Sequence, residues 1–217
     1  MRKYIGILLI IAGISLTGLR SYDWMLGLKQ VTHIESKDLH TEPINVTSNT
    51  ESTRKPNVEK NHDYQKGEKI ADLIIPSIDS KFPVWLGTDS AILKKGAGMY
   101  QSKWTTLPSD RGHTVISGHR DTIFRGLKNI KEGDELIVSF DNELYQYIVN
   151  KIWITKKDDH SVIVQKEQPT LTLTTCYPFY FVGNAPNRYI IQALYQDRHD
   201  TSTTNVTQMK TPTNQAR

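Results

Sequence analysis

The sequence predicts an all-β domain, a barrel or a sandwich, over residues 67–197 of a 217-residue chain. Three observations carry that prediction. Short runs of β-branched, aromatic and aliphatic residues recur at regular intervals, separated by turn residues. Several of these runs alternate apolar with polar positions, as half-buried strands do. Long helices are absent from the same region.

Taken in order, Ile70–Ile75 reads as a strand that stops at Pro76. Phe82–Leu86 is a short apolar run broken by Pro83. Asp89–Lys95 suits one or two helical turns, with Asp89 or Ser90 as the cap. His113–His119 is a strand ending at Gly118. Asp134–Phe140 and Leu144–Thr155 form a hairpin about Asp141-Asn142, with Tyr145, Tyr147 and Val149 alternating along its second arm. Ser161–Gln165, Leu171–Cys176 and Arg188–Tyr195 complete the set.

The flanks differ in character. Met1-Arg2-Lys3 is basic, and residues 4–19 carry no charge. Sixteen helical residues span roughly 24 Å against about 30 Å of bilayer hydrocarbon. Arg20 can snorkel, Tyr22 and Trp24 suit the interface, and Met25–Leu28 extend the apolar stretch. Residues 1–28 are therefore expected to be a transmembrane signal-anchor with its basic tip in the cytoplasm, so that the bulk of the chain is exported. A cleaved secretory signal is the rival, but no clean small-x-small site lies near Ser15–Ser21. Residues 29–66 read as a flexible extracellular linker, and 198–217 as a disordered tail, both rich in polar residues. The net charge of +4 is scattered and gives no nucleic-acid footprint.

The chain has one cysteine, so an intrachain disulfide and a cysteine-rich metal site are both excluded. That residue, Cys176, ends the run Thr170–Cys176, where a cleft can reach it. A free thiol has a pKa of about 8.5 and needs a cation or an imidazole to act as a nucleophile. By residue type alone a buried packing cysteine is the commoner identity. Of the seven histidines, His33, His40, His62, His160 and His199 fall in the linker, a charged turn or the tail. His113 and His119 remain, at opposite ends of one strand and about 20 Å apart, so only one can join the site. Arg188 follows Cys176 by twelve residues, across a loop holding Pro178, Gly183 and Pro186. That loop can fold back to set the guanidinium beside the thiol, where its fork of donors suits a developing oxyanion. Arg120 and Arg125, near His119, are competitors for that role.

Thr172-Leu173-Thr174-Thr175-Cys176 resembles the TLxTC signature of sortases, the cysteine transpeptidases of Gram-positive cell surfaces. Gly183–Ile190 resembles the stretch that carries their arginine, and Ser117–Thr122 with Phe124, Arg125 and Leu127 resembles their histidine segment. The Cys-Tyr-Pro-Phe and Ala-Pro-x-Arg-Tyr strings are most similar to class D sortases. The resemblance covers residues 67–196 and implies a closed eight-stranded barrel. It implies Cys176 as nucleophile, His119 as general acid/base and Arg188 as oxyanion or substrate clamp. It further implies an LPxTG-like sorting signal as substrate, a cell-wall amine as acceptor and no cofactor. His113 is a departure, standing where Gly112 would be followed by asparagine or similar. A hydrolytic cysteine endopeptidase and a non-enzymatic, membrane-tethered binding domain are the alternative readings. No acidic loop has EF-hand spacing for calcium.

Overall fold

The computed structural model describes residues 5–7, 10, 11, 13–15, 18, 31–35, 64–180 and 183–197. Eight strands close a barrel: β1 (Lys69–Ile75), β2 (Ser80–Leu86), β3 (Ala97–Met99), β4 (His113–Ser117), β5 (Glu135–Phe140), β6 (Glu143–Lys156), β7 (Thr170–Tyr177) and β8 (Asn187–Tyr195). Around the barrel the order is β1-β2-β3-β4-β7-β8-β6-β5. The pairs β2·β3 and β4·β7 are parallel and the rest antiparallel. Closure removes every free sheet edge, the usual weak point of an all-β fold.

Local chemistry explains the elements. The β5–β6 hairpin turns on Asp141 and Asn142, whose φ angles of 51° and 62° place two successive residues in the left-handed region. Such a turn matches the twist of its flanking strands. The short α-helix α1 (Ser90–Leu93) starts at Asp89, whose carboxylate accepts the Ile92 N–H at 3.0 Å. Inside the barrel, Leu73, Val84, Ile116, Val138, Leu171, Leu173 and Ile191 belong to one buried cluster. Phe82 meets Phe124 edge to face at 5.8 Å.

Three readings of the sequence differ from the structure. Pro83 does not break β2, because pairing with β3 begins one residue later, at Val84. The missing proline N–H therefore removes no β2–β3 ladder bond. Strand β3 has no apolar run of its own and is too short to be read from alternation. Ser161–Gln165, expected as a strand, is a succession of turns and bends. The closed barrel offers it no edge, Asp159 accepts the Ser161 N–H at 2.9 Å, and the Val164 carbonyl is taken by a histidine ring.

At the N-terminal end, residues 5–7, 10, 11, 13–15 and 18 are helical and exposed. Among the described residues no helix is long and apolar enough to cross a membrane. The other residues of the expected 1–28 anchor, most of the 29–66 linker and all of the 198–217 tail lie outside the described residues. Within the linker, Thr32 exchanges two backbone hydrogen bonds with Lys81 on β2, of 3.1 and 2.8 Å. His33 Nδ1 lies 2.7 Å from the Asp79 carboxylate, which also accepts the Ile34 N–H at 3.2 Å.

Gly98 on β3 is held by close packing. A Cβ there would stand 2.3 Å from the Gly87 carbonyl oxygen, a backbone atom that cannot swing aside. Gly98→Ala is expected to cost about 1–3 kcal/mol, the usual range for overpacking. A urea unfolding midpoint unchanged from wild type would show that the β2–β3 loop yields freely.

Candidate active site

The site is built by register. Parallel pairing of β4 with β7 runs from His113↔Thr170 to Ser117↔Thr174, so both strands end together at one rim of the barrel. Antiparallel pairing of β7 with β8 then sets Cys176 directly opposite Arg188. Since Leu171 and Leu173 face the core, the two-residue period turns Thr172, Thr174 and Cys176 outward. The same alternation turns Arg188 and Ile190 outward from β8, where Ile191 and Ala193 point in. Ser117, Thr174, Cys176, Arg188 and Ile190 accordingly share the floor of one open cleft of about 410 Å³ with His119 beside them.

His119 sits just past the end of β4, in a segment tied down from several sides. The Gly118 N–H donates to the Thr174 carbonyl at 3.2 Å, and the buried Thr175 hydroxyl donates to the Gly118 carbonyl at 2.7 Å. The Phe124 N–H donates to the His119 carbonyl at 2.8 Å. Gly118 has no room for a side chain, because a Cβ would stand 2.7 Å from the Phe124 ring. Thr175 thus joins the thiol-bearing and imidazole-bearing segments one residue before Cys176. Its place in an alternating Thr/Leu run gives no sequence signal for that role.

Arg188 is half-buried, and its Nη1 donates to the carbonyls of Asn187 at 3.0 Å and Ala185 at 3.3 Å. Of its competitors, Arg120 donates from Nη2 to the Gly183 carbonyl at 2.8 Å, pinning the β7–β8 loop to the histidine segment. Arg125 lies in a separate groove beside Val31, Ser80 and Phe82. On the far side of Cys176 a second recess, of about 430 Å³, is bounded by Arg120, Asp121, Asn184 and Ala185. It too reaches Cys176, His119 and Arg188, so the thiol is open from two directions.

The walls of the main cleft escaped the sequence reading. Leu93 and Tyr100 stand on one side, and Val162 and Ile163, from the β6–β7 loop, on the other. At the start of that loop Asp159 accepts hydrogen bonds from the Ser161 and Thr155 hydroxyls and the Ser161 N–H. Those bonds hold its carboxyl at about 2. Thr155 is also the β6 partner of Arg188, which ties the loop's root to the site.

His113 lies outside the cleft, buried beneath the same loop. Its Nδ1–H donates to the Val164 carbonyl at 2.8 Å, and its Nε2, 2.8 Å from the Thr172 hydroxyl, accepts from it in that tautomer. Burial is the main cause that pushes its pKa below the ordinary imidazole value; Lys166 adds to the shift, and the Val164 hydrogen bond opposes it. Among the described residues, no group of three or more histidine, cysteine or acidic side chains is placed to hold a metal ion.

The Sortase domain profile matches residues 73–196, more than half of the chain and nearly all of the barrel. The chain belongs to the sortase family. This sortase is 36% identical to Sortase D of Bacillus subtilis (strain 168) over 195 residues, 88% of this chain and 97% of that one. It is 27% identical to Sortase A of Listeria monocytogenes over 185 residues, 79% of each chain. Among solved structures, the catalytic domain of Bacillus anthracis SrtD shows 50% identity and a TM-score of 0.56, covering 66% of this sortase and 97% of that domain. A Clostridium perfringens Sortase D5 transpeptidase shows 27% identity and a TM-score of 0.55, covering 62% and 83%. Family membership supports cysteine transpeptidase activity for this sortase, and the likeness runs to class D.

A neutral buried His113 has a pH signature. Its native pKa lies below the ordinary value of about 6.5, so on acidification the unfolded chain takes up the proton first. The stability it contributes is complete above about pH 6.5 and is lost as pH falls from there toward the depressed native value. Urea midpoints at pH 7.5 and 5.0 should diverge less in His113→Asn than in wild type. Equal divergence would assign the acid sensitivity to other groups.

Proposed function

We propose that this sortase cleaves an LPxTG-type sorting signal after its threonine and transfers the acyl group to a cell-wall amine. The observation that carries the reading is the direct pairing of Cys176 with Arg188 across β7 and β8, with His119 in the same cleft. The apolar walls at Leu93, Tyr100, Val162 and Ile163 suit the leucine and proline of such a signal.

In this reading the Cys176 thiolate attacks the threonine carbonyl carbon and a C–S bond forms. Arg188 donates to the oxygen that gains charge in the tetrahedral intermediate. As the C–N bond breaks, protonated His119 gives its proton to the leaving amine, and a thioester remains. The wall amine then attacks the thioester carbonyl and loses a proton to His119, and the Cys176 thiolate departs. Two access routes to one thiol suit this order, since the acyl chain can occupy the main cleft while the amine enters from the other recess. The uncharged stretch of residues 4–19 behind a basic tip supports a membrane anchor with the barrel on the outer face. The partners in that setting are exported proteins bearing the signal and peptidoglycan precursors or wall peptides bearing the amine.

Mass spectrometry of an LPxTG-type peptide incubated with the enzyme, with and without an added amine, tests the reading. The expected result is an amide product with the amine present and no cleavage by Cys176→Ala. Acid product alone, whatever the amine, would make the enzyme a hydrolase, and cleavage by Cys176→Ala would remove the nucleophile assignment. A Cys176 unreactive to alkylation in the native protein would instead favour a binding domain. Arg188→Lys is expected to lower kcat/KM by roughly a hundredfold, since one point charge replaces a fork of donors at the oxyanion. A near wild-type value would reduce Arg188 to a surface cation.

A further inference from the structure

Two polar side chains that the chemistry above does not use flank one wall of the main cleft. Val162 and Ile163 make that wall, in a stretch of turns and bends outside the barrel sheet. The residue on each side of this pair is tied down. On one side Asp159 Oδ1 accepts the Ser161 N–H at 2.9 Å and the Ser161 hydroxyl at 2.6 Å, while Oδ2 accepts the Thr155 hydroxyl of β6. On the other side the His113 ring of β4 reaches the Val164 carbonyl at 2.8 Å and is itself held by the Thr172 hydroxyl of β7. Backbone bonds steady the first tie. The Asp159 N–H donates to the Lys156 carbonyl at 3.1 Å, and the Lys157 N–H to the Pro186 carbonyl at 3.1 Å.

Both ties refer the wall to the strands that carry the chemistry. Thr172 lies on the same strand as Cys176, and Thr155 is the β6 partner of Arg188. Both Asp159 oxygens are engaged by the loop and its root, and His113 is buried outside the cleft, so each acts through the wall. Wall depth matters because a gap of about 0.5–1 Å forfeits a quarter to a half of a dispersion contact. Given an LPxTG-type signal as substrate, on which this inference rests, we propose that His113 and Asp159 are positioning residues that pin Val162 and Ile163 at the depth that selects the leucine of the signal. His113, the departure from the family pattern, thereby has a task.

The test measures kcat and KM of the full-length enzyme on an LPxTG-type peptide and on its twin with alanine in place of leucine. Asp159→Ala and His113→Leu are each expected to raise KM for the leucine peptide roughly five- to tenfold with kcat unchanged, as the loss of one net hydrogen bond would. The alanine peptide should be unaffected, because alanine is too short to use the wall. Asp159→Asn keeps an acceptor for the loop and His113→Gln a donor for Val164, and both should recover most of the loss. Wild-type KM values in Asp159→Ala and His113→Leu, or losses of equal size on both peptides, would overturn the pins and spare the function. Where His113→Leu does not fold, the Asp159→Ala and Asp159→Asn pair decides by the same criteria. Equal wild-type rates on the two peptides would also overturn the pins, with cleavage itself intact. A wild-type enzyme that cleaves neither peptide would overturn this inference and the proposed signal together.

Discussion

The arrangement depends on one ladder, the parallel pairing of β4 with β7. Parallel neighbours share a direction, so their C-terminal ends leave the barrel at the same rim. The imidazole and the thiol stand just beyond or at those ends, one on each strand. The antiparallel return of β8 brings the guanidinium to the same rim from the opposite direction. A parallel pair needs a long crossover, and here the β5–β6 hairpin supplies it. The hairpin then closes the barrel by pairing with β1 on one side and β8 on the other. Three chemically distinct groups meet because of backbone register, and their side chains need no contact with one another to hold that meeting.

Around this ladder the outer face of the sheet is itself partly buried. His113, Val115 and Ser117 alternate outward along β4 beside Thr172 and Thr174 of β7. The β6–β7 loop covers the His113 end of that face and leaves the His119 end open. An imidazole with both nitrogens engaged holds the cover in place, and a half-buried carboxylate wrapped in local hydrogen bonds fixes the cover's root. The cleft is the uncovered remainder of a continuous surface. Its shape follows from where the loop stops.

How much of this could be read from the chain varies by element. The hairpin was plain, because two turn-forming residues between alternating arms leave little choice. Strands β1, β4, β7 and β8 were legible from β-branched runs, and their order along the chain set Cys176, His119 and Arg188 near strand ends. Strand β3 was not legible, since Ala97-Gly98-Met99 carries no pattern and owes its state to the neighbours on both sides. Ser161–Gln165 misled for the opposite reason. Its apolar residues are needed as a wall, and a wall needs burial without a sheet partner. The two candidate histidines could be separated by reach, but not ranked by composition. Only the covering loop distinguishes a ring under it from a ring beyond it. Thr175 and Tyr100 were invisible because nothing in a threonine or a tyrosine announces which neighbour it will meet.

The contact between Thr32 and Lys81 changes the meaning of the polar stretch that follows it. Thr32 is held on β2 and Tyr64 packs against the core near the start of β1, which pairs with β2. Both ends of the intervening stretch are therefore held by one body, and its length does not set the distance from Val31 to the barrel. For a chain held through residues 1–28, only the step from Leu28 to Val31 lies between the holdfast and the docked segment. The reach of a chain so held would be that of the barrel itself, with the length of residues 36–63 adding nothing to it.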